Sequence, residues 1–314
     1  MIVTVTANPS LDRTIEVDRL RRGEVQRATG ARVDPGGKGV NVSRALVANG
    51  HATRAVLTSG GHASTELIDL LAEADVPVLE VPVSQGVRSN LTIAEADGTV
   101  TKLNEAGPDL RPEEVAELLV AAIVPTLDRS TAWIAGCGSL PPGVGADFYA
   151  LLVERAHAAG AKAAVDTSGP ALDACLAARP DLVKPNLEEL AEAARTPIAT
   201  LGDAVKAAEA LREAGARAVL ASLGADGAIL VDDTGVHHAV APLAGPLAST
   251  VGAGDASLAG FLAAGGEGPQ ALAVAVAWGT AAVCLPGSIM PAPDDIRLDA
   301  VEVTRSPDYD RALS

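Results

Sequence analysis

The chain has 314 residues, of which 48 % are hydrophobic but only 2 % aromatic, so a sizeable core is available and must be built from alanine, valine, leucine and isoleucine. A formal net charge of −16 opposes extended contact with nucleic acid or an anionic membrane surface, and so few aromatics leave no stacking platform for bases. Cys137, Cys175 and Cys284 are odd in number, widely spaced and without a CxxC pair, which argues against a disulfide framework or a zinc site and for a reducing cytosol.

Residues 2 to 7 are a β-branched run ending at Asn8-Pro9, the pattern of a central parallel strand. No basic segment precedes it, so it reads as a strand and not a signal peptide. Asp12 falls just past its carboxyl end, where open α/β sheets bind ligands. From Thr14 to Val33 the pattern is half-polar and extended, with a turn at Arg22-Gly23-Glu24; from Val87 to Leu103 two alternating runs flank the turn Ala96-Asp97-Gly98. Half-polar strands inserted beside a buried parallel sheet predict a small β lid. Between the insertions, the string from Asp34 to Ala45 packs Gly36, Gly37 and Gly39 around Lys38, with Asn41 following, at the head of a helix over Val40 to Asn49. Lys38 has little apolar surface there to lie on, which favours a substrate contact. A strand at Ala55 to Thr58 and a helix from Ala63 to Ala74 follow.

After Pro108 helix and strand alternate: helix Pro112 to Ala122, strand Thr131 to Ala135, the tight loop Gly136 to Gly143 with Ser139, helix Phe148 to Ala158, and strand Lys162 to Val165. This alternation predicts a doubly wound, mostly parallel α/β sheet flanked by helices, in one domain. Cys137 reads as a packed thiol and not a nucleophile. Asp166 either caps the next helix, the favoured role, or reaches a magnesium shell. Lys184 ends the strand Leu182-Val183, placed for nucleotide phosphates, and Asn186 and Glu189 share one face of a helix start, a spacing that also suits a capping box. Helix Leu201 to Ala214, strand Ala218 to Ser222, the turn Leu223 to Ala228 and two edge strands then lead to His237 and His238, which point to opposite faces and cannot share a metal.

The string Ser249 to Ser257 carries the clearest chemistry. Gly252, Ala253 and Gly254 precede Asp255 at the mouth of an Ala/Leu-rich helix, setting free backbone N–H groups beside a carboxylate. That is an anion cradle with a base attached, the pairing that phosphoryl transfer needs, although the same glycines could serve only a turn and Asp255 only a cap. A helix over Gln270 to Leu285 follows, and the polar stretch Ser306 to Ser314 reads as disordered. No apolar run approaches a membrane span, and the expectation is a soluble cytoplasmic protein.

Together the Asp34–Ala45 and Ser249–Ser257 strings resemble the signatures of the ribokinase-like carbohydrate kinases. The motifs from Thr4–Thr14 through Asn104–Pro108 to Pro286–Pro291 narrow the resemblance to the 1-phosphofructokinase and tagatose-6-phosphate kinase branch. It implies a ribokinase-like fold whose four-stranded lid, from insertions at about 12–33 and 87–106, closes over a sugar and excludes water. It implies that Asp12, Gly37, Lys38, Asn41, Arg88, Asn90 and Ser139 hold a phosphorylated ketohexose, with Arg88 gripping its phosphate. ATP is expected along Lys184, Asn186, Ser222, Gly224, Gly227 and the late helix, with Mg²⁺ ordered by Asn186 and Glu189 through water. Asp255 is then the base and the amides of Gly252, Ala253 and Gly254 the anion cradle.

The implied reaction converts fructose 1-phosphate to fructose 1,6-bisphosphate; tagatose 6-phosphate and fructose 6-phosphate are the alternative substrates, since spacing does not distinguish these sugars. A non-catalytic sugar-phosphate-binding regulator is the alternative from another class. Superfamily precedent suggests a homodimer through the lid, with no nucleic acid or membrane partner. Walker A is excluded because Arg32 stands where its first glycine belongs, and the Rossmann fingerprint because Asn8-Pro9-Ser10 follows the first strand.

Overall fold

A computed structural model describes residues 1–128 and 131–314. Its elements are β1 (Ile2–Thr6), β2 (Ser10–Val17), β3 (Gly30–Gly36), α1 (Lys38–Ala48), β4 (Thr53–Ser59), α2 (Gly61–Glu73), β5 (Val78–Pro82), β6 (Arg88–Glu95) and β7 (Val100–Asn104). There follow α3 (Pro112–Ala121), β8 (Trp133–Cys137), α4 (Phe148–Ala158), β9 (Lys162–Asp166), α5 (Gly169–Leu176), β10 (Leu182–Val183), α6 (Leu187–Ala194) and α7 (Leu201–Glu213). The last are β11 (Val219–Ser222), β12 (Ala228–Asp232), β13 (Gly235–Val240), α8 (Ala253–Ala263), α9 (Gly268–Ala282) and β14 (Glu302–Thr304).

Ten strands form one sheet in the order β14-β13-β12-β11-β10-β9-β8-β1-β4-β5, parallel from β11 to β5 and antiparallel beyond β11. The central strands β1 and β8 are buried at every position, as strands covered on both faces must be. The side chains of β1, β8 and β9 alternate between two cores: Val3, Val5, Ile134 and Val165 face α3 to α7, while Ile2, Trp133, Ala135 and Ala164 face α1, α8 and α9. The chain leaves β1 toward β4 and β5, then returns to β8, β9 and β10 on the other side. The strand order therefore reverses between β1 and β8, and the carboxyl ends of β1, β8, β9 and β10 open on a common crevice.

The two half-polar insertions pair into a second sheet, β3-β2-β6-β7. Its register sets Asp12 opposite both Asn90 and Asp34, and Ser10 opposite Arg88. Asp12 lies in lid strand β2, because the chain re-extends immediately after Asn8-Pro9. One expectation is corrected here. The terminal segment is ordered: Leu201 and Gly202 N–H donate to Arg311 and Tyr309 carbonyls, and Ser314 binds Asp226 through its amide (2.7 Å) and hydroxyl (2.8 Å). Strand β5, an edge strand that follows Pro77 and ends in Pro82, was not among the elements expected from the sequence. Among the described residues no helix is long and apolar enough to cross a membrane.

Candidate active site

The glycine strings become two helix starts facing one crevice. Gly252 is the N-cap of α8 in the left-handed region (φ 80°), and a Cβ there would lie 2.7 Å from Met290 Cε. The first-turn amides, from Ala253 to Asp255, have no partner inside the helix. Gly37 is the N-cap of α1 at φ 113°, where a Cβ would meet Thr6 at 2.9 Å. The two starts touch through one buried hydrogen bond, Asn41 Nδ2 donating to Asp255 Oδ2 at 2.9 Å.

Behind Asp255 stands a charged chain no local pattern announces. Asp166, fully buried at the end of β9, accepts from Lys38 Nζ at 2.7 Å and forms a 2.9 Å ion pair with Lys184 Nζ, whose angles miss those of a hydrogen bond. Lys38 reaches on to Glu189 Oε1 at 3.3 Å. The favoured capping role of Asp166 is thus corrected: Ser168 is the N-cap of α5, and Asp166 bridges two lysines. Burial alone would raise the Asp166 carboxyl, but Lys184 and Lys38 hold it below its ordinary value. Asp255 goes the other way. Burial, seconded by the charge of Asp166, pushes it up to about 6, against the pull of Asn41, Lys38 and Lys184. A carboxylate that ionises just below neutrality is suited to accept a proton at pH 7. Lys184 Nζ also rests against α8, 3.2 Å from where a Cβ on Gly254 would sit.

The nucleotide-side candidates adjoin this chain. Asn186 and Glu189 make the full capping box of α6: Asn186 Oδ1 accepts from Glu189 N (2.8 Å) and Glu189 Oε2 from Asn186 N (2.9 Å). Asn186 also forms a parallel bridge to Ser222, which brings the turn containing Gly224 (φ 63°) and Gly227 (φ 81°) alongside α6. A Cβ on Gly224 would meet nothing within 4 Å, so that side of the turn is open. The turn is anchored from behind, His238 Nε2 pairing with the Asp226 carbonyl at 2.7 Å and Arg311 with its carboxylate at 2.8 Å.

On the lid side, Asp12 accepts from Asn90 Nδ2 (2.9 Å) and Ser10 Oγ (2.7 Å). Arg88 donates to the carbonyls of Glu105 and Asn8, both at 3.2 Å, and Ser139 Oγ receives Asn8 Nδ2 at 3.3 Å. Glu105, without a role in the sequence, accepts Ser89 N–H at 2.8 Å. Buried polar atoms lacking partners include Thr6 Oγ1, Asn8 Oδ1, Arg88 Nε and Asn90 Oδ1, around the root of the lid. Such atoms are costly unless something polar meets them. Cys137 is fully buried with its thiol pushed well up by burial, which fits a packed side chain. Asn8 and Arg44 were not singled out from the sequence; the signal for Arg44 is its position one helical turn beyond Asn41.

The crevice therefore holds lysines and arginines gathered within an acidic chain, helix amides without partners, and a carboxylate tuned near neutrality. The model of the pfkB family of carbohydrate kinases matches residues 5–295. The chain is 40 % identical to the 1-phosphofructokinase of Haloferax volcanii, over 97 % of this chain and 98 % of that one. It is 36 % identical to the 1-phosphofructokinase of Rhodobacter capsulatus, over 96 % of each. Among solved structures, phosphofructokinase-2 from Escherichia coli in complex with potassium superposes with a TM-score of 0.86, at 33 % identity, over 94 % of this chain and 96 % of that one.

Proposed function

The chain belongs to the pfkB family of carbohydrate kinases, and from that premise we propose that it is a 1-phosphofructokinase, phosphorylating fructose 1-phosphate to fructose 1,6-bisphosphate with ATP. The observation that carries the phosphoryl-transfer chemistry is Asp255, buried beneath the free amides of α8, hydrogen-bonded to Asn41 and raised to about 6, while the choice of sugar phosphate rests on the likeness to the 1-phosphofructokinases. Asp255 takes the proton of the sugar's free primary hydroxyl as that oxygen bonds to the γ-phosphorus and the bond to the bridging oxygen of ADP breaks. The amides from Gly252 to Asp255 stabilise charge on the transferring phosphoryl group, and Lys184, beside Gly254, adds a cation there.

Asp12, Asn90, Ser139, Asn41 and the Gly37–Lys38 turn hold the sugar, with the unpartnered Nε of Arg88 available to its phosphate. Lys184, Asn186, Ser222, Gly224 and Gly227 hold ATP. Among the described residues no group of three His, Cys, Asp or Glu side chains could hold a metal. Glu189 already meets Asn186 N–H and Lys38, so Asn186 and Glu189 would hold a hydrated Mg²⁺ through its water and not directly. Mg²⁺ would supply charge neutralisation at the phosphates. The lid closes over the sugar, and pairing of two copies through its edge strand β7 is the assembly that this reading carries. The free cysteines suit a reducing cytoplasm.

The test is kcat/KM for fructose 1-phosphate, fructose 6-phosphate and tagatose 6-phosphate measured side by side. A preference of at least about tenfold for fructose 1-phosphate is expected. A preference for either 6-phosphate overturns the substrate assignment, and tight binding of one sugar phosphate without turnover overturns the kinase.

A further inference from the structure

Arg44 has no place in the steps above, yet it lies within the site and burial holds its guanidinium below the ordinary value. Its Nη1 donates to Asn41 Oδ1 at 3.1 Å, and also to Ser288 Oγ at 3.3 Å and Pro35 O at 3.4 Å. An amide has an accepting and a donating end, exchanged by a half-turn about its last bond. A guanidinium can only donate, so Arg44 keeps the Asn41 oxygen on its own side and turns Nδ2 toward Asp255. The reversed amide would set a carbonyl oxygen against the Asp255 carboxylate and an NH₂ against the guanidinium, unfavourable at both ends.

We propose that Arg44 is a positioning residue for phosphoryl transfer: by fixing the amide orientation of Asn41 it secures the hydrogen bond that holds Asp255 in place and ionised. The proposal rests on Asp255 acting as the base. Its three anchors also join the parts that must come together around that base: Pro35 belongs to lid strand β3, Asn41 to α1, and Ser288 to the loop after α9.

The titratable and charged groups around Asp255 are Asp166 from β9, Lys184 after β10, Lys38 and Arg44 from α1, and the buried Cys137 thiol of β8; Asp12, Asp34 and Arg32 of the lid face Arg44 in turn. Burial and Asp166 favour the protonated acid, whereas the Asn41 hydrogen bond and the cations favour the carboxylate. Loss of Arg44 removes one cation and frees the amide to reverse. Both changes favour protonation, so less base is available at neutral pH.

The experiment compares Arg44→Met, Arg44→Lys and Asn41→Ala, each alone and with the Arg44 change placed in the Asn41→Ala background. For Arg44→Met, kcat should fall roughly 10- to 100-fold while KM for fructose 1-phosphate stays within about threefold. The acidic limb of the kcat/KM–pH profile should move up by about half a unit or more, and Arg44→Lys should bring it most of the way back. With Asn41→Ala already present, Arg44→Met should add little further shift. An unmoved limb, a loss confined to KM, or full additivity with Asn41→Ala overturns the proposal. Should Arg44→Met not fold, Arg44→Ala, which also removes the guanidinium, takes its place in the same comparison with Asn41→Ala. A second readout needs no turnover: the Asp255 carboxyl titration, followed by NMR of ¹³C-aspartate-labelled protein and assigned with Asp255→Asn, should move upward in Arg44→Met. If the unaltered protein phosphorylates no ketohexose phosphate, the functional reading has failed, while this titration still decides the role of Arg44.

Discussion

Replacing Asp166 by asparagine removes the charge that Lys38 and Lys184 share and leaves nearly the same shape. Lys184 is 4 % exposed and would be left as a buried ammonium beside a neutral amide. Breaking a buried pair from one side costs about 3–5 kcal/mol, and the amide oxygen still accepts one hydrogen bond, so the lower end, about 3 kcal/mol, is expected. A domain with about 5–15 kcal/mol of stability survives that, with Tm lowered by roughly 6–12 °C. The effect on Asp255 has the opposite sign from the usual expectation for a damaged site. Asp166 is, after burial, the main influence raising Asp255, and its removal also leaves two lysine charges unneutralised nearby. The Asp255 carboxyl should therefore fall from about 6, and the acidic limb of kcat/KM should move down by about one unit, equivalent to about 1.4 kcal/mol. Thermal melts and a pH profile from 4.5 to 8 on the same preparation (about the window in which carboxylates and histidine titrate) measure both. A limb that stays in place or moves up would refute the electrostatic account, whatever the melts show.

Asp255→Asn should lower kcat at least about 100-fold with sugar-phosphate affinity nearly unchanged. The same variant should be more stable above pH 6: the folded-state pKa of about 6 exceeds the ordinary 3.8, so stability is highest at low pH and falls as pH rises through that window, by up to about 3 kcal/mol. Melting both proteins at pH 4 and pH 8 checks this, and equal differences at the two pH values would contradict it. Gly254→Ala puts a methyl 3.2 Å from Lys184 Nζ and should raise the KM for ATP more than that for the sugar, in steady-state kinetics with each substrate varied. Arg311→Ala frees one oxygen of Asp226 behind the Gly224–Gly227 turn, and a severalfold rise in ATP KM at little cost in Tm is expected, since Arg311 is 42 % exposed. An unchanged ATP KM would mean that Ser314 and His238 suffice to hold the turn.

The central strands were legible because β1 is an unbroken β-branched run and β8 carries no charged residue, the pattern of strands in a doubly covered parallel sheet. The lid was legible for the complementary reason: its strands alternate, and a one-sided sheet must. The two glycine strings disclosed the helix starts and Asp255, because close backbone approach and left-handed φ demand glycine wherever the chain is placed. What the sequence leaves undecided depends on residues far apart in it. Lys38 and Asp166 are 128 positions apart, and Asn41 and Asp255 are 214 apart; only the crevice at the reversal of strand order brings them within hydrogen-bonding distance. Asp166 looked like a cap because Asp before Thr-Ser-Gly satisfies a local rule, and tertiary charge overrode it. The tail from Ser306 looked disordered because its composition carries no periodicity, yet it docks on α7 through backbone bonds and on Asp226 through Arg311 and Ser314, 85 and 88 positions away in the sequence. The kinds of groups in the site were thus written locally, whereas the protonation state of its base is a property of burial and of the charges the fold gathers around it.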